Sequence, residues 1–199
     1  MSGPERATVW VLAGAPGAGK STVAELLLGR LHPVPAILDK DVLFAGFVGE
    51  VQASHRRPPG EREGPWYDVH VKAHEYGGMT AAAAQIRSAG CPVVLVGPFT
   101  SAIRSSQEWA DWVNALGGEP VRLLWVAVSP RVLRDRIEQR GSVWDLGKLA
   151  EWERFVARMQ PEVPPPVPHV AIPNDGSPED LQVQVQVQVQ VLVAELGGE

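Results

Sequence analysis

"GAPGAGKST", residues Gly14 to Thr22, decides how the rest of the chain is read. Gly14-x-x-x-x-Gly19-Lys20-Ser21 fits the phosphate-loop pattern in full. Gly14, Gly17 and Gly19, with Ala15, Pro16 and Ala18 between them, let the backbone fold so that N–H groups face phosphate oxygens. A helix starting near Lys20 adds its positive end. In such a loop the lysine, here Lys20, reaches the β- and γ-phosphates, and the hydroxyl of Ser21 binds Mg²⁺. Thr22 caps or packs, with the α-phosphate as its other partner. An ordinary glycine-rich turn is the plain alternative. The context speaks against it, because an apolar run precedes the loop and a helical pattern follows it.

Working outward, apolar runs alternate with helical patterns, which predicts an α/β fold with a parallel sheet. The five expected strands are 7–14, 34–41, 91–99, 120–129 and 168–174. Runs this apolar are expected where helices cover both sheet faces. The stretch 42–90 reads as a helical insert over the C-terminal sheet edge, with a weak point at Gly77-Gly78. A basic helix, 131–141, follows the fourth strand and opens a lid region reaching residue 148. "QVQVQVQVQV" (182–191) alternates like a strand, but its place after the fifth strand favours a covering helix.

The 199 residues favour one domain of the phosphate-loop, three-layer type, spanning 1–199. The net charge of -5 disfavours non-specific nucleic-acid binding. No apolar run suits a bilayer span. Cys91 is the only cysteine, which suits a cytoplasmic location. The oligomeric state stays open.

A phosphate cradle alone does not say where the phosphate goes. "LDKD" places Asp39 and Asp41 at the C-terminal edge of the second strand, beside the loop. A kinase needs a carboxylate there to take the proton of an acceptor hydroxyl, and one to help hold Mg²⁺. Asp41 is the candidate base and Asp39 its partner at the metal, with the reverse order open; either could instead cap the next helix. Arg136 and Arg140 are four apart on one helix face and could stabilise charge on a transferring phosphoryl group. Trp144 stands where a lid could carry another arginine. The third strand ends in Gly97, where many phosphate-loop enzymes carry a magnesium-binding aspartate, and the glycine would let a substrate approach the backbone.

For the acceptor, Trp66, His70 and His74 fall at i, i+4 and i+8 on one expected helix face, with Tyr67 adjacent. Phe44 lines or supports the pocket, and Arg104, after the third strand, lies near the same edge. Each also has a plain reading, as core packing or surface charge.

The loop, "LDKD", the basic helix and the C-terminal "PNDGSPEDL" together resemble the phosphate-loop small-molecule kinases: shikimate kinase, gluconate kinase and chloramphenicol phosphotransferase, more distantly zeta toxin. The resemblance spans about 7–55 and 91–181, and only the loop is highly specific. It implies ATP and Mg²⁺ as cofactors, and a small-molecule hydroxyl as acceptor. It further implies Arg136 at the adenine, Arg140 at the phosphates, and Asn174 and Asp175 at the adenine border. No Asn-Lys-x-Asp guanine motif is visible, which favours ATP. Two alternatives stand beside a metabolite or antibiotic kinase. One is a nucleotide or nucleotide-sugar kinase, for which Arg56, Arg57 and Arg62 would meet an acceptor phosphate. The other is a regulatory ATP-binding protein that transfers nothing.

Overall fold

The computed structural model describes residues 6–58, 61–62 and 64–197. The strands are β1 (Val9–Ala13), β2 (Ala36–Asp39), β3 (Val93–Val96), β4 (Val121–Ala127) and β5 (Val170–Pro173). All pair in parallel, in the order β2-β3-β1-β4-β5. Side chains alternate across a strand, so each strand feeds two cores. Trp10, Leu12, Val94, Val96, Leu124 and Val126 face one core. Val9, Val11, Val93, Leu95, Leu123 and Trp125 face the other. With both faces covered, β1 and β3 are apolar at every position, which is why they read so clearly in sequence.

The first core is closed by α1 (Lys20–Leu28), α7 (Pro130–Arg140), the short α8 (Leu146–Ala150), α9 (Trp152–Met159) and α10 (Pro178–Gly197). The second is closed by α4 (Ala73–Ser88), α5 (Thr100–Ile103) and α6 (Ser106–Ala115). The connection between β2 and β3 is therefore not all flap. Met79 and Ala83 of α4 are core residues of the sheet layer. Only the part before it reaches over the sheet edge: α2 (Lys40–Ser54), α3 (Pro65–Tyr67) and a π-helical turn, Asp68–Lys72. The irregularity also lies at that turn, while α4 runs unbroken through Gly77-Gly78.

The chain leaves β1, passes β3 to form β2, returns to β3, then crosses β1 to β4. The sheet thus switches direction beside β1, where open α/β sheets take their ligands. Register aligns the strand ends, since Asp39 pairs with Val96, and Val96 with Leu12. The phosphate loop, Asp39 and Gly97 therefore share one edge. Among the described residues, no helix is long and apolar enough to cross a membrane.

The Gln-Val repeat is helical. Leu181, Val185, Val189 and Leu192 are buried against the sheet, while Val183, Val187 and Val191 are at least half exposed. Helical spacing, not alternation, thus decides which valines stabilise the fold. Val185→Ala or Val189→Ala is expected to cost about 1.5–3 kcal/mol in urea unfolding. Val187→Ala should stay within about 0.5 kcal/mol. Equal losses at Val185 and Val187 would contradict the helix.

Candidate active site

The phosphate loop is pressed into shape from two sides. Gly17 has φ 91°, and a Cβ there would meet Ile137 at 2.9 Å and Leu133 at 3.0 Å. Gly19 has φ 95°, and a Cβ there would collide with Asn174 Nδ2. Only glycine accepts both the backbone and the crowding. Gly19 also leaves the N-terminus of α1 without a side-chain cap, so its amides stay available to an anion. Lys20 Nζ donates to Ala15 O at 3.0 Å. Burial pulls the Lys20 ammonium down to about 8, against the opposing pull of Asp41 and Asp39.

At the end of β2 the two acids part ways. Asp39 is the N-cap of α2, and its Oδ1 accepts from the amides of Asp41 at 2.8 Å and Val42 at 3.4 Å. Its Oδ2 accepts from Ser21 Oγ at 3.4 Å. Asp41 is largely exposed to the cleft and pairs with Lys40 Nζ at 3.0 Å and with Arg62. Partial burial pushes its carboxyl up, but Lys40 and Arg62 outweigh this and hold it below the usual carboxylate range.

Lys40, between them, turns inward. It is buried against Glu75, 3.4 Å away, and Glu75 also accepts from Tyr67 Oη. Burial, then the Glu75 hydrogen bond, pushes the Tyr67 phenol up, so it remains a donor.

These groups line a cleft of about 450 Å³. Pro16, Gly17, Gly19, Lys20, Ser21, Thr22, Asp39, Asp41, Tyr67, Arg136 and Arg140 all meet there. Gly14, Ala15 and Ala18 lie in the loop behind that surface, Ala15 and Ala18 buried in the core. Asn174 is a clamp behind the loop: its Nδ2 donates to Ala18 O at 2.7 Å, and its Oδ1 accepts from Arg136 at 3.4 Å. Asp175 Oδ1 accepts from the Ser129 amide at 2.8 Å, tying the end of β5 to the start of α7. Arg136 keeps one buried nitrogen, Nη1, without a partner among the described residues.

Several expected site residues stand elsewhere. The guanidinium of Arg104 is used up on the carbonyls of Met159, Gln160 and Val163, at 2.9–3.1 Å, so it braces the end of α9. Trp66 packs between His55 and His70 beneath Arg57, outside the cleft. His70 and His74 are exposed and do not line the cleft; the π turn between Trp66 and His74 interrupts the 3.6-residue face they were expected to share. Phe44 supports from below, packing with Val48, Tyr67 and Val71. Gly97 does line the cleft, but it first makes room for a protein ring, since a Cβ would lie 3.1 Å from Phe99 Cζ.

Sequence reasoning missed the partners that hold the site. Asp145 is buried and binds Arg140 at 2.7 Å and Lys148 at 2.6 Å; burial pulls the Lys148 ammonium down. The i,i+3 spacing of Asp145 and Lys148 was the available signal. Arg62 stacks over Trp144 at 5.2 Å, so the cation absent from the lid comes from the insert instead. Lys72 and Arg158 also line the cleft. The chain is acidic overall, yet among the described residues lining the cleft eight cations, Lys20, Lys40, Arg62, Lys72, Arg136, Arg140, Lys148 and Arg158, stand beside four carboxylates, Asp39, Asp41, Asp68 and Asp145, with Glu75 behind Lys40. Such a cleft draws polyanions.

A phosphate loop at the switch point, with a carboxylate at the end of β2, defines a phosphate-loop nucleotide-binding α/β fold. The chain belongs to an AAA domain family, whose model matches residues 9–162. No curated protein matches it in sequence at a significant level. Among solved structures it is similar to a candidate kinase from Chloroflexus aurantiacus, at 19% identity and a TM-score of 0.64, over 98% of this chain and 99% of that one. It is similar to a gluconokinase from Sinorhizobium meliloti, at 16% identity and a TM-score of 0.59, over 96% and 95%. It is also similar to the Mycobacterium tuberculosis APS kinase CysC, solved with AMPPNP and APS, at 19% identity and a TM-score of 0.53, over 95% and 99%. These likenesses show the fold alone.

If the charged form of Lys20 holds phosphate, as the loop pattern implies, Mg-ATP affinity should fall as pH rises through about 8, approaching tenfold per unit above it. Binding near that pH should take up a proton. Titration calorimetry between pH 7 and 9.5 checks both, with Lys20→Met as the weak, pH-flat control. A flat wild-type profile would contradict the assignment.

Proposed function

We propose that this chain is an ATP-dependent phosphotransferase that moves the γ-phosphate to a hydroxyl of a small molecule. The observation that carries this reading is the division of the two acids at one phosphate loop. Asp39 sits with Ser21, and Asp41 faces the cleft. Ser21 Oγ and Asp39 Oδ2, 3.4 Å apart, are hard oxygen donors that fit Mg²⁺. When bound there, the ion neutralises charge on the β- and γ-phosphates.

Asp41 orients the acceptor hydroxyl and takes its proton as the oxygen bonds to the γ-phosphorus and the bridging oxygen departs with ADP. Its low proton affinity suits a loose transfer, in which positioning outweighs base strength. Lys20 holds phosphate oxygens, and Arg136, whose Nη1 would lie 4.0 Å from a Cβ on Gly19, is assigned to the phosphates rather than to the adenine expected for it. Arg140, positioned by Asp145, stabilises charge on the group in transit. Asn174 shapes the loop rather than touching the base.

A second reading concerns the acceptor's charge. Nε and Nη2 of Arg62 are buried without partners among the described residues, and the side chain is only 11% exposed. Asp41 takes only Nη1; the two unpaired buried donors are costly, and an anionic group on the acceptor would satisfy them. Arg57, by contrast, is paired with Glu61. A phosphorylated or carboxylated hydroxy compound therefore fits better than a neutral one.

The test is ADP release from Mg-ATP with separate pools of neutral and anionic hydroxyl compounds, products being screened for one added phosphoryl mass. The anionic pool should stimulate turnover. Asp41→Asn should lower kcat by about 10²-fold or more, with nucleotide affinity within twofold. If no pool changes turnover, a regulatory ATP-binding role takes the place of transfer.

A further inference from the structure

Adjoining the cleft is a second cavity of about 480 Å³, within the size range of small-molecule sites. Asp68, Lys72, Tyr76 and Thr100 line both spaces. The second is walled by three rings. Phe99 stands 4.9 Å from Trp112 and 5.5 Å from Tyr76, centroid to centroid. Trp112 Nε1 donates to Thr80 Oγ1 at 2.9 Å, so the polar atom of the indole is already satisfied and its body is left as apolar wall. Phe99 holds its place at a backbone cost: its φ is 49°, in the left-handed region that a bulky residue seldom adopts.

A glycine points to space being kept. Gly77 lies inside α4, where glycine weakens a helix relative to alanine. A Cβ on its neighbour Gly78 would make only ordinary contact, 3.6 Å from Phe44. A Cβ on Gly77 would meet nothing within 4 Å, and the residue lines the second cavity. Ala73, one turn earlier, lines it too.

We propose that this cavity receives a flat aromatic portion of the molecule whose polar end occupies the cleft. That the molecule is the phosphoryl acceptor rests on the kinase reading above. The ligand is then an amphiphile, with a hydroxyl end at Asp41 and an aromatic end among Tyr76, Phe99 and Trp112. The Asp68–Lys72 ion pair, at 3.3 Å, lies where the two spaces meet and offers a polar contact to the middle of the ligand. The continuity of the two spaces favours a single small molecule over a protein segment, which would need an extended groove.

The experiment uses the full chain with Mg-AMPPNP and matched probe pairs: phenyl against methyl β-glucopyranoside, and 2-phenylethanol against ethanol. Dissociation constants come from ligand-observed NMR titration. The phenyl members should bind at least tenfold more tightly. Gly77→Leu and Ala73→Leu, which fill the cavity, should each erase that preference while Mg-ATP affinity stays within twofold. Thermal melts establish that each variant is folded, and either one alone decides. Equal binding of phenyl and methyl members by the wild type, or a preference that survives filling, would overturn the inference and leave the kinase reading standing. If no hydroxyl pool is phosphorylated but the aromatic preference appears and vanishes as described, the kinase reading fails and the cavity's ligand class stands.

Discussion

A buried ammonium sets the geometry of the cleft. Lys40 is 4% exposed and Glu75 is 2% exposed. Taking such charges out of water costs several kcal/mol each unless they meet. That constraint ties the first turn of α2 to the first turn of α4, with Tyr67 as a further donor to the same carboxylate. With Lys40 drawn inward, its two neighbours diverge. Asp39 closes the helix and reaches Ser21, while Asp41 is left in the cleft between Lys40 and Arg62. The chemistry proposed for the site follows from that divergence.

A second constraint works from the opposite wall. Leu133 and Ile137 of α7 press on Gly17 from the core, and the same helix carries Arg136 and Arg140. Burying the apolar face of α7 therefore positions its basic face over the loop. Asp145 then holds Arg140, and Asn174 joins Arg136 to the loop backbone. Arg136 and Arg140 are thus held by packing, by Asn174 and by the buried Asp145, and fixed dipoles and charges are what the proposed phosphoryl transfer needs.

The strands and the phosphate loop were legible because their signals are local. Strands buried on both faces must be apolar, and a loop around phosphate must carry glycines at fixed spacing. Lys20, Ser21 and Asp39 inherit their places from those elements. The acceptor side was less legible because it depends on how separate elements meet. A single π turn, Asp68–Lys72, broke the face expected to join Trp66, His70 and His74. Arg104 stands near the right strand end, yet its donors go to the carbonyls after α9. Nothing in the spacing of Lys40 and Glu75, 35 residues apart, marks them as partners. Position, rather than period, resolved the Gln-Val repeat, since only a helix could cover that face of the sheet.

The central claim is that Asp39 serves the metal and Asp41 the acceptor. The most direct measurement is a Mg²⁺ titration of ATP affinity in the wild type, Asp39→Asn and Asp41→Asn, read with a fluorescent nucleotide so that no acceptor is needed. The account predicts that Asp39→Asn raises the Mg²⁺ concentration required by about tenfold, the scale set by losing one charge-assisted contact, and that Asp41→Asn leaves it unchanged. A shift confined to Asp41→Asn, or equal shifts in both, would contradict it.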